Sequence, residues 1–159
     1  YVSWLIVLFG AEIAFTLQNL DALMAERILR HPMANRTRLL ISLKILKDAT
    51  HKLDVGETLN LGKLSESLKL PFSILKEIAD SLVGAGFLRY TDEEETTPAA
   101  TPDKILLSDA IISINRGLSE SNFELPSSDE LEKILLETEN SIRERFGSIS
   151  LAQWARDKR

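Results

Sequence analysis

Residues 59–91 read LNLGKLSESLKLPFSILKEIADSLVGAGFLRYT, and this stretch decides the fold. Leu64 and Leu68 share one face of a short predicted helix over about 63–68, and Lys69-Leu-Pro71 forms a turn. A longer helix then starts at Pro71 or Phe72 and ends at Gly84 and Gly86, for which we expect left-handed caps. Its apolar residues recur at helical spacing: Ile74, Leu75, Ile78, Leu82 and Val83. The stretch therefore predicts two helices joined by a tight turn.

The flanking segments supply the elements that two short helices need to close a core. Upstream, Asn35 is a suitable N-cap for a helix over about 36–51, and 59–61 alternates as a short strand. Downstream, 87–91 reads as a strand, 92–104 as a long polar loop, 105–107 as a second strand, and 108–115 as a helix. This order predicts a winged helix-turn-helix. The expected core is Leu39, Leu43, Leu64, Leu68, Ile78, Leu82, Leu88 and Leu106.

A linker and one more helix come after this domain. Ser127-x-x-Glu130 is a capping box before an apolar-periodic segment that ends at Gly147, and 150–156 is a short amphipathic piece that we expect to be docked. The predicted fold class is mainly α with a small β-wing. The winged helix-turn-helix is preceded by an apolar membrane helix and followed by a C-terminal helix.

The first eighteen residues are almost entirely apolar, with Glu12 as the only charge. A basic cluster of Arg27, Arg30, Arg36 and Arg38 comes soon after them, as at the cytoplasmic end of a membrane span. We therefore expect 1–18 to be the end of a last transmembrane helix and Glu12 to be an intramembrane polar residue. A buried core helix is the alternative. The predicted domains are 1–18, a juxtamembrane amphipathic helix at 19–34, the winged helix-turn-helix at 35–117, and the linker and C-terminal helix at 118–159.

Two stretches resemble known families. Residues 70–88, LPFSILKEIADSLVGAGFL, resemble the recognition helix and wing of bacterial repressors of the iron–sulfur regulator type. Residues 104–111, KILLSDAI, are similar to the strand and helix that come after the wing in those repressors. Those regulators hold their cluster with cysteines, and this chain has none. Their basic, glycine-rich wing is replaced here by the acidic 92–104 loop.

Residues 1–12, YVSWLIVLFGAE, are similar to the last membrane helix of the BrkB/YihY family of bacterial inner-membrane proteins, often labelled ribonuclease BN. The resemblance implies that this chain is the C-terminal part of a multi-span protein. Its location would then be the bacterial inner membrane, with residues from about 19 onward in the cytoplasm.

The charges do not favour nucleic acid as a partner. The formal net charge is −5, and the surface equivalent to a recognition helix carries Ser73, Lys76, Glu77 and Asp80. A DNA-binding protein needs cations there, because phosphate contacts supply most of the non-specific affinity. For the basic cluster we favour contact with anionic membrane lipid. A solvated helix face and nucleic-acid contact are the alternatives.

The sequence carries no strong enzyme signal. The absence of cysteine excludes thiol catalysis and thiolate metal sites. His31 lies beside a proline, His51 closes a helix, and no phosphate-binding glycine loop is present. We expect no catalytic residue, no metal site and no cofactor in this segment.

The preferred hypothesis is a non-catalytic winged-helix interaction or regulatory domain that acts through a protein partner or by forming a homo-oligomer, with the helix from Leu131 to Phe146 as a packing surface. The first alternative is a soluble DNA-binding transcriptional regulator with an N-terminal dimerisation helix. A weaker alternative is part of a ribonuclease.

Overall fold

The computed structural model describes Val7, residues 35–117 and residues 129–157. The chain divides into two compact units, Tyr1–Met33 and Ala34–Arg159, and in the first unit only the exposed, helical Val7 is described. The predicted membrane helix, the juxtamembrane helix and Glu12 therefore lie outside the described residues. None of the helices in the described ranges is long and apolar enough to cross a membrane.

The second unit is mainly helical and contains one small sheet. Its elements are α1 (Asn35–Asp54), β1 (Leu59–Asn60), α2 (Leu61–Leu68), α3 (Phe72–Gly84), β2 (Leu88–Asp92), β3 (Glu95–Pro98), a 3-10 turn (Pro102–Lys104), α4 (Leu107–Gly117), α5 (Asp129–Phe146) and α6 (Leu151–Arg156). This is the predicted winged helix-turn-helix order, with a helix on each side of the α2–α3 pair.

The core forms around α1, which packs against α3, α4, α6 and β3. Ile45 and Leu46 of α1 are fully buried, and they are matched by Leu75 of α3 and Leu151 of α6. Four of the predicted core residues are buried: Leu64, Ile78, Leu82 and Leu88. Leu39, Leu43 and Leu68 are only half-buried. On α1 the side that faces the core carries Ile41, Ile45, Leu46 and Ala49 instead of Leu39 and Leu43.

The turn between α2 and α3 is built from local backbone chemistry. The Asn60 side chain accepts a hydrogen bond of 2.9 Å from the Lys63 N–H and caps α2. Lys69 ends α2 with a φ of 53°, a left-handed conformation that is uncommon outside glycine. Pro71 then precedes α3. Gly86 takes the predicted left-handed conformation, whereas Gly84 is the last helical residue of α3, so its predicted left-handed cap was wrong.

The wing differs from the prediction. Residues 95–98, assigned to a polar loop, form β3, the central strand of the order β1-β3-β2. Thr96 pairs with Leu59 on one side and Tyr90 on the other. Thr96 and Thr97 are buried. Threonine is β-branched and fits a strand, so its polarity misled the assignment.

The predicted second strand at 105–107 was also wrong. Leu107 opens α4, and Leu106 is 37% exposed rather than part of the core. The segment instead connects to the C-terminal tail, because the Leu107 N–H donates to the Ile149 oxygen and the Leu151 N–H donates to the Ile105 oxygen. The tail is docked as predicted: Ser150 caps α6, and Leu151, Ala152 and Ala155 are buried.

Candidate nucleic-acid interface

The exposed face of α3 is the surface that a helix-turn-helix offers to a partner. The opposite face of α3 is fixed in the core by Ile74, Leu75, Ile78, Ala79 and Leu82. The predicted surface residues Ser73, Lys76, Glu77 and Asp80 all lie on α3, and three of them are exposed while Lys76 is half-buried. The structure therefore places these four residues on one helix, next to the β2–β3 wing.

Lys76, the one cation of α3, is already engaged by the wing. Its Nζ lies 5.3 Å from the centroid of the Tyr90 ring and 3.4 Å from the backbone oxygen of Glu93. A cation over an aromatic face is attracted by the ring quadrupole. A phosphate would have to compete with these contacts.

Asp80 and Tyr90 make a second contact between α3 and the wing. The Tyr90 hydroxyl donates a hydrogen bond of 2.5 Å to Asp80 Oδ1. Partial burial and the Asp80 carboxylate together raise the pKa of Tyr90 well above its ordinary value. The tyrosine therefore remains neutral and acts as the hydrogen-bond donor to Asp80 on the exposed side of α3.

Glu77 connects α3 to the first helix. Arg38 Nη1 of α1 donates to Glu77 Oε1 at 2.8 Å, and Arg38 Nη2 donates to Ser81 Oγ at 3.2 Å. The predicted basic cluster is therefore divided. Arg36 is exposed, Arg38 bonds to α3, and Arg27 and Arg30 lie outside the described residues. Lipid contact by this cluster stays a prediction.

The tip of the wing adds negative charge beside α3. Asp92, Glu93 and Glu94 are exposed, while Glu95 is half-buried and its Oε2 accepts a hydrogen bond of 2.5 Å from Thr58 Oγ1. Carboxylates repel phosphate on approach and contribute nothing to the counterion release that drives DNA binding. The face has the shape of a recognition surface, but its described charges are mainly negative.

Sequence reasoning missed three ion pairs that connect distant segments. Arg116 at the end of α4 holds Glu139 of α5 with two hydrogen bonds of 2.7 Å, and Arg156 holds Asp54 at 3.0 and 2.7 Å. The third is the Arg38–Glu77 pair. No local pattern marks such pairs, because their partners are 23 to 102 residues apart.

The described residues offer no site for metal chemistry. Within 35–117 and 129–157, no group of three or more histidines and carboxylates is close enough to hold an ion. His51 is exposed at the end of α1, and His31 lies outside the described residues.

The comparisons with known proteins agree on the fold. No family profile and no curated protein matches the chain. Among solved structures, CymR of Staphylococcus aureus matches with a TM-score of 0.54 at 16% identity, over 77% of this chain and 98% of that one. CymR (YrzC) of B. subtilis, described as the global cysteine regulator, matches with a TM-score of 0.50 at 17% identity, over 79% and 94%.

IscR of T. potens matches with a TM-score of 0.54 at 20% identity, over 77% of this chain and 86% of that one. At these identities the likeness shows a shared fold. It confirms the winged-helix part of the resemblance to regulators of the iron–sulfur type, and these neighbours are regulators rather than enzymes. The BrkB/YihY resemblance has no counterpart in the comparisons.

Proposed function

We propose that residues 35–157 form a non-catalytic regulatory domain that acts by self-association through α5. The observation that carries this proposal is an exposed apolar triplet on that helix: Ile134, Leu135 and Leu136 are 54%, 65% and 55% exposed. Contiguous exposed aliphatic residues of this kind mark interaction surfaces, whereas scattered ones are ordinary.

The helix itself gives a reason to expect a partner. Among the described elements, the one that α5 packs against closely is α4, through a side that includes the Arg116–Glu139 pair and the half-buried Ile142. A helix gains most of its stability in a protein by burying an apolar face. Against the described residues of the chain, the triplet leaves much of that potential unused.

A second copy of the chain is a partner that can cover the triplet with a surface of the same kind. In an isologous interface the same patch of both copies meets, so the apolar residues of one α5 pack on those of the other. Lys133 and Glu137 are both exposed and lie two residues before and two residues after Leu135, hence on the opposite side of α5, where they stay solvated in such a pair.

The test is the molar mass of the chain, measured by light scattering over a concentration series. Leu135→Lys should convert a dimer into a monomer. Leu40→Lys makes the same change at a 56%-exposed leucine on α1 and should leave the dimer intact. Lys133→Glu, on the side of α5 away from Leu135, should also leave the dimer intact. A monomeric wild type at every concentration, or a Leu135→Lys variant that remains dimeric, would reject the proposal.

A DNA-binding transcriptional regulator is the second candidate, and the fold favours it. The comparisons with CymR and IscR support this candidate better than they support a domain attached to a membrane protein. The acidic face of α3 and the wing argues against it. Fluorescence anisotropy of a labelled DNA duplex of random sequence at low salt distinguishes the two candidate functions. Salt-sensitive binding that Lys76→Ala weakens would favour the regulator, and absence of binding would favour protein contact.

Attachment to a BrkB/YihY-like membrane domain stays a proposal that rests on the sequence of 1–18. It includes the inner-membrane location, the cytoplasmic side for residues from 19 onward, and the domain limits at 34/35 and 117/118. The encoding gene gives the direct test. Several further apolar spans upstream of Tyr1 would support attachment, and a start codon close to Tyr1 would contradict it.

A further inference from the structure

A cavity of about 480 Å³ lies where the first half of α1, the C-terminal end of α3 and the C-terminal end of α4 meet. Its size falls within the range of about 300–1,000 Å³ that is typical of ligand pockets. Two arginines, Arg38 and Arg116, and three serines, Ser42, Ser81 and Ser113, line it. No carboxylate occurs among its described lining residues. The described lining therefore carries two cations and no anion, and each cation is paired with a glutamate outside the lining.

Both guanidiniums are held in place and still have donors to offer. Arg38 uses two N–H groups on Glu77 and Ser81, and Arg116 uses two on Glu139. A guanidinium carries five N–H donors, so each arginine retains three beyond these bonds. Arginines fixed by carboxylates at the edge of a cavity need little reorganisation to bind an anion.

The other lining residues are mostly apolar and suit the hydrocarbon part of a small ligand, called its carbon body below. Leu82 and Ile114 are 2% and 8% exposed, and Ala85 and Gly84 continue the apolar side at the end of α3. The two helix C-termini and the glutamates paired with Arg38 and Arg116 oppose an anion, so binding depends on direct hydrogen bonds from the remaining guanidinium N–H groups to the acidic group.

We propose that this cavity binds a small organic anion, with its acidic group between Arg38 and Arg116 and its carbon body against Leu82 and Ile114. The acidic group is a phosphate ester or a carboxylate, since arginine pairs with both in the same bidentate manner. No residue of α5 is among its described lining, and the connection to α5 runs through Glu139, which holds Arg116.

The test is an NMR titration of the full ¹⁵N-labelled chain with phenyl phosphate, with phenol as the neutral probe of the same ring. We expect saturable shifts of the amides in 81–85 and 113–117, and binding of phenol at least tenfold weaker. Benzoate and inorganic phosphate form two further arms. Benzoate as strong as phenyl phosphate assigns a carboxylate site, and inorganic phosphate as strong as phenyl phosphate removes the role of the carbon body and overturns the proposal.

Variants locate the binding. Arg38→Gln and Arg116→Gln should each weaken phenyl phosphate at least tenfold, whereas Arg143→Gln on α5, outside the cavity lining, should change it less than twofold. Ser113→Asp keeps both arginines and introduces a negative charge, so it should also abolish binding if the chain remains folded by circular dichroism. The proposal is wrong if no saturable shifts occur or if phenol binds as tightly as phenyl phosphate. It is also wrong if Arg143→Gln weakens the binding of phenyl phosphate as much as the Arg38 and Arg116 variants do.

Discussion

Thr96→Val should stabilise this protein, although it removes a polar group from the middle of the sheet. Thr96 is fully buried in β3, and its Oγ1 has no hydrogen-bond partner among the described residues. Its backbone is fixed by pairing with Leu59 and Tyr90 on either side. Valine has the same shape and the same β-branching, so neither the strand nor the packing volume changes.

The size of the effect depends on two contributions. A buried hydroxyl without a partner costs roughly 1–3 kcal/mol of desolvation, which the variant recovers. The methyl group that replaces the hydroxyl adds about 0.8 kcal/mol of apolar burial at most. Because some of this gain is lost to local relaxation, we expect the free energy of unfolding to rise by about 1–2 kcal/mol. The midpoint of thermal unfolding should rise by roughly 4–8 °C.

Thr50→Val is the matched control. Thr50 is also fully buried, but its Oγ1 donates a hydrogen bond of 2.8 Å to the Leu46 oxygen. The free energy of unfolding should therefore stay unchanged or fall by up to about 1 kcal/mol. Urea unfolding followed by circular dichroism, with equal m-values, measures both variants. If Thr96→Val lowers the free energy of unfolding as much as Thr50→Val does, the Thr96 hydroxyl has a partner and the reasoning is refuted.

Two further predictions concern the C-terminal helix α6. Leu151→Ala truncates a fully buried side chain and should lower the free energy of unfolding by about 3 kcal/mol, whereas Leu40→Ala at an exposed position should cost less than about 0.5 kcal/mol in the monomer. Equal costs would show that α6 is not part of the core. The pKa of Asp54 lies below its ordinary value of 3.8 because Arg156 donates hydrogen bonds to its carboxylate. This contribution is present above the unfolded-state pKa and is lost as the pH falls through the lowered one. Arg156→Gln should therefore flatten the decline of stability in urea titrations below pH 3.8, most clearly at low salt, and an unchanged decline would contradict the pairing.

The parts of the fold that sequence could predict are those with a strong local period. The helices α1 and α3 repeat apolar residues at helical spacing, and the turn between α2 and α3 carries a proline directly before α3. The surface residues of α3 (Ser73, Lys76, Glu77 and Asp80) could be predicted from the same helical period, because the positions between the core residues face away from the core. The docking of α6 could be predicted from its short amphipathic pattern and its serine cap.

The parts that failed depend on contacts distant in sequence. Residues 95–98 form a strand because β1 and β2 pair with both of its edges, and neither pairing leaves a local signal. Residues 105–107 are apolar because they meet the chain near Ile149, more than forty residues later. The two arginines of the cavity could not be brought together from sequence either, since Arg38 and Arg116 belong to different helices.

The conflict between the regulator fold and the acidic face of α3 has a physical resolution. Ile74, Leu75 and Ile78 are required on the inner side of α3 whatever the outer side binds, because they fill the core against α1. The outer residues Lys76 and Asp80 contribute little to that core, so their charge can change while the fold persists. The similarity of fold to CymR and IscR therefore depends on the inner residues of α3, whereas function has to be inferred from the outer ones. The proposal of protein contact therefore rests on the charges of the outer residues of α3 and on the exposed triplet of α5, whereas the fold favours the DNA-binding alternative.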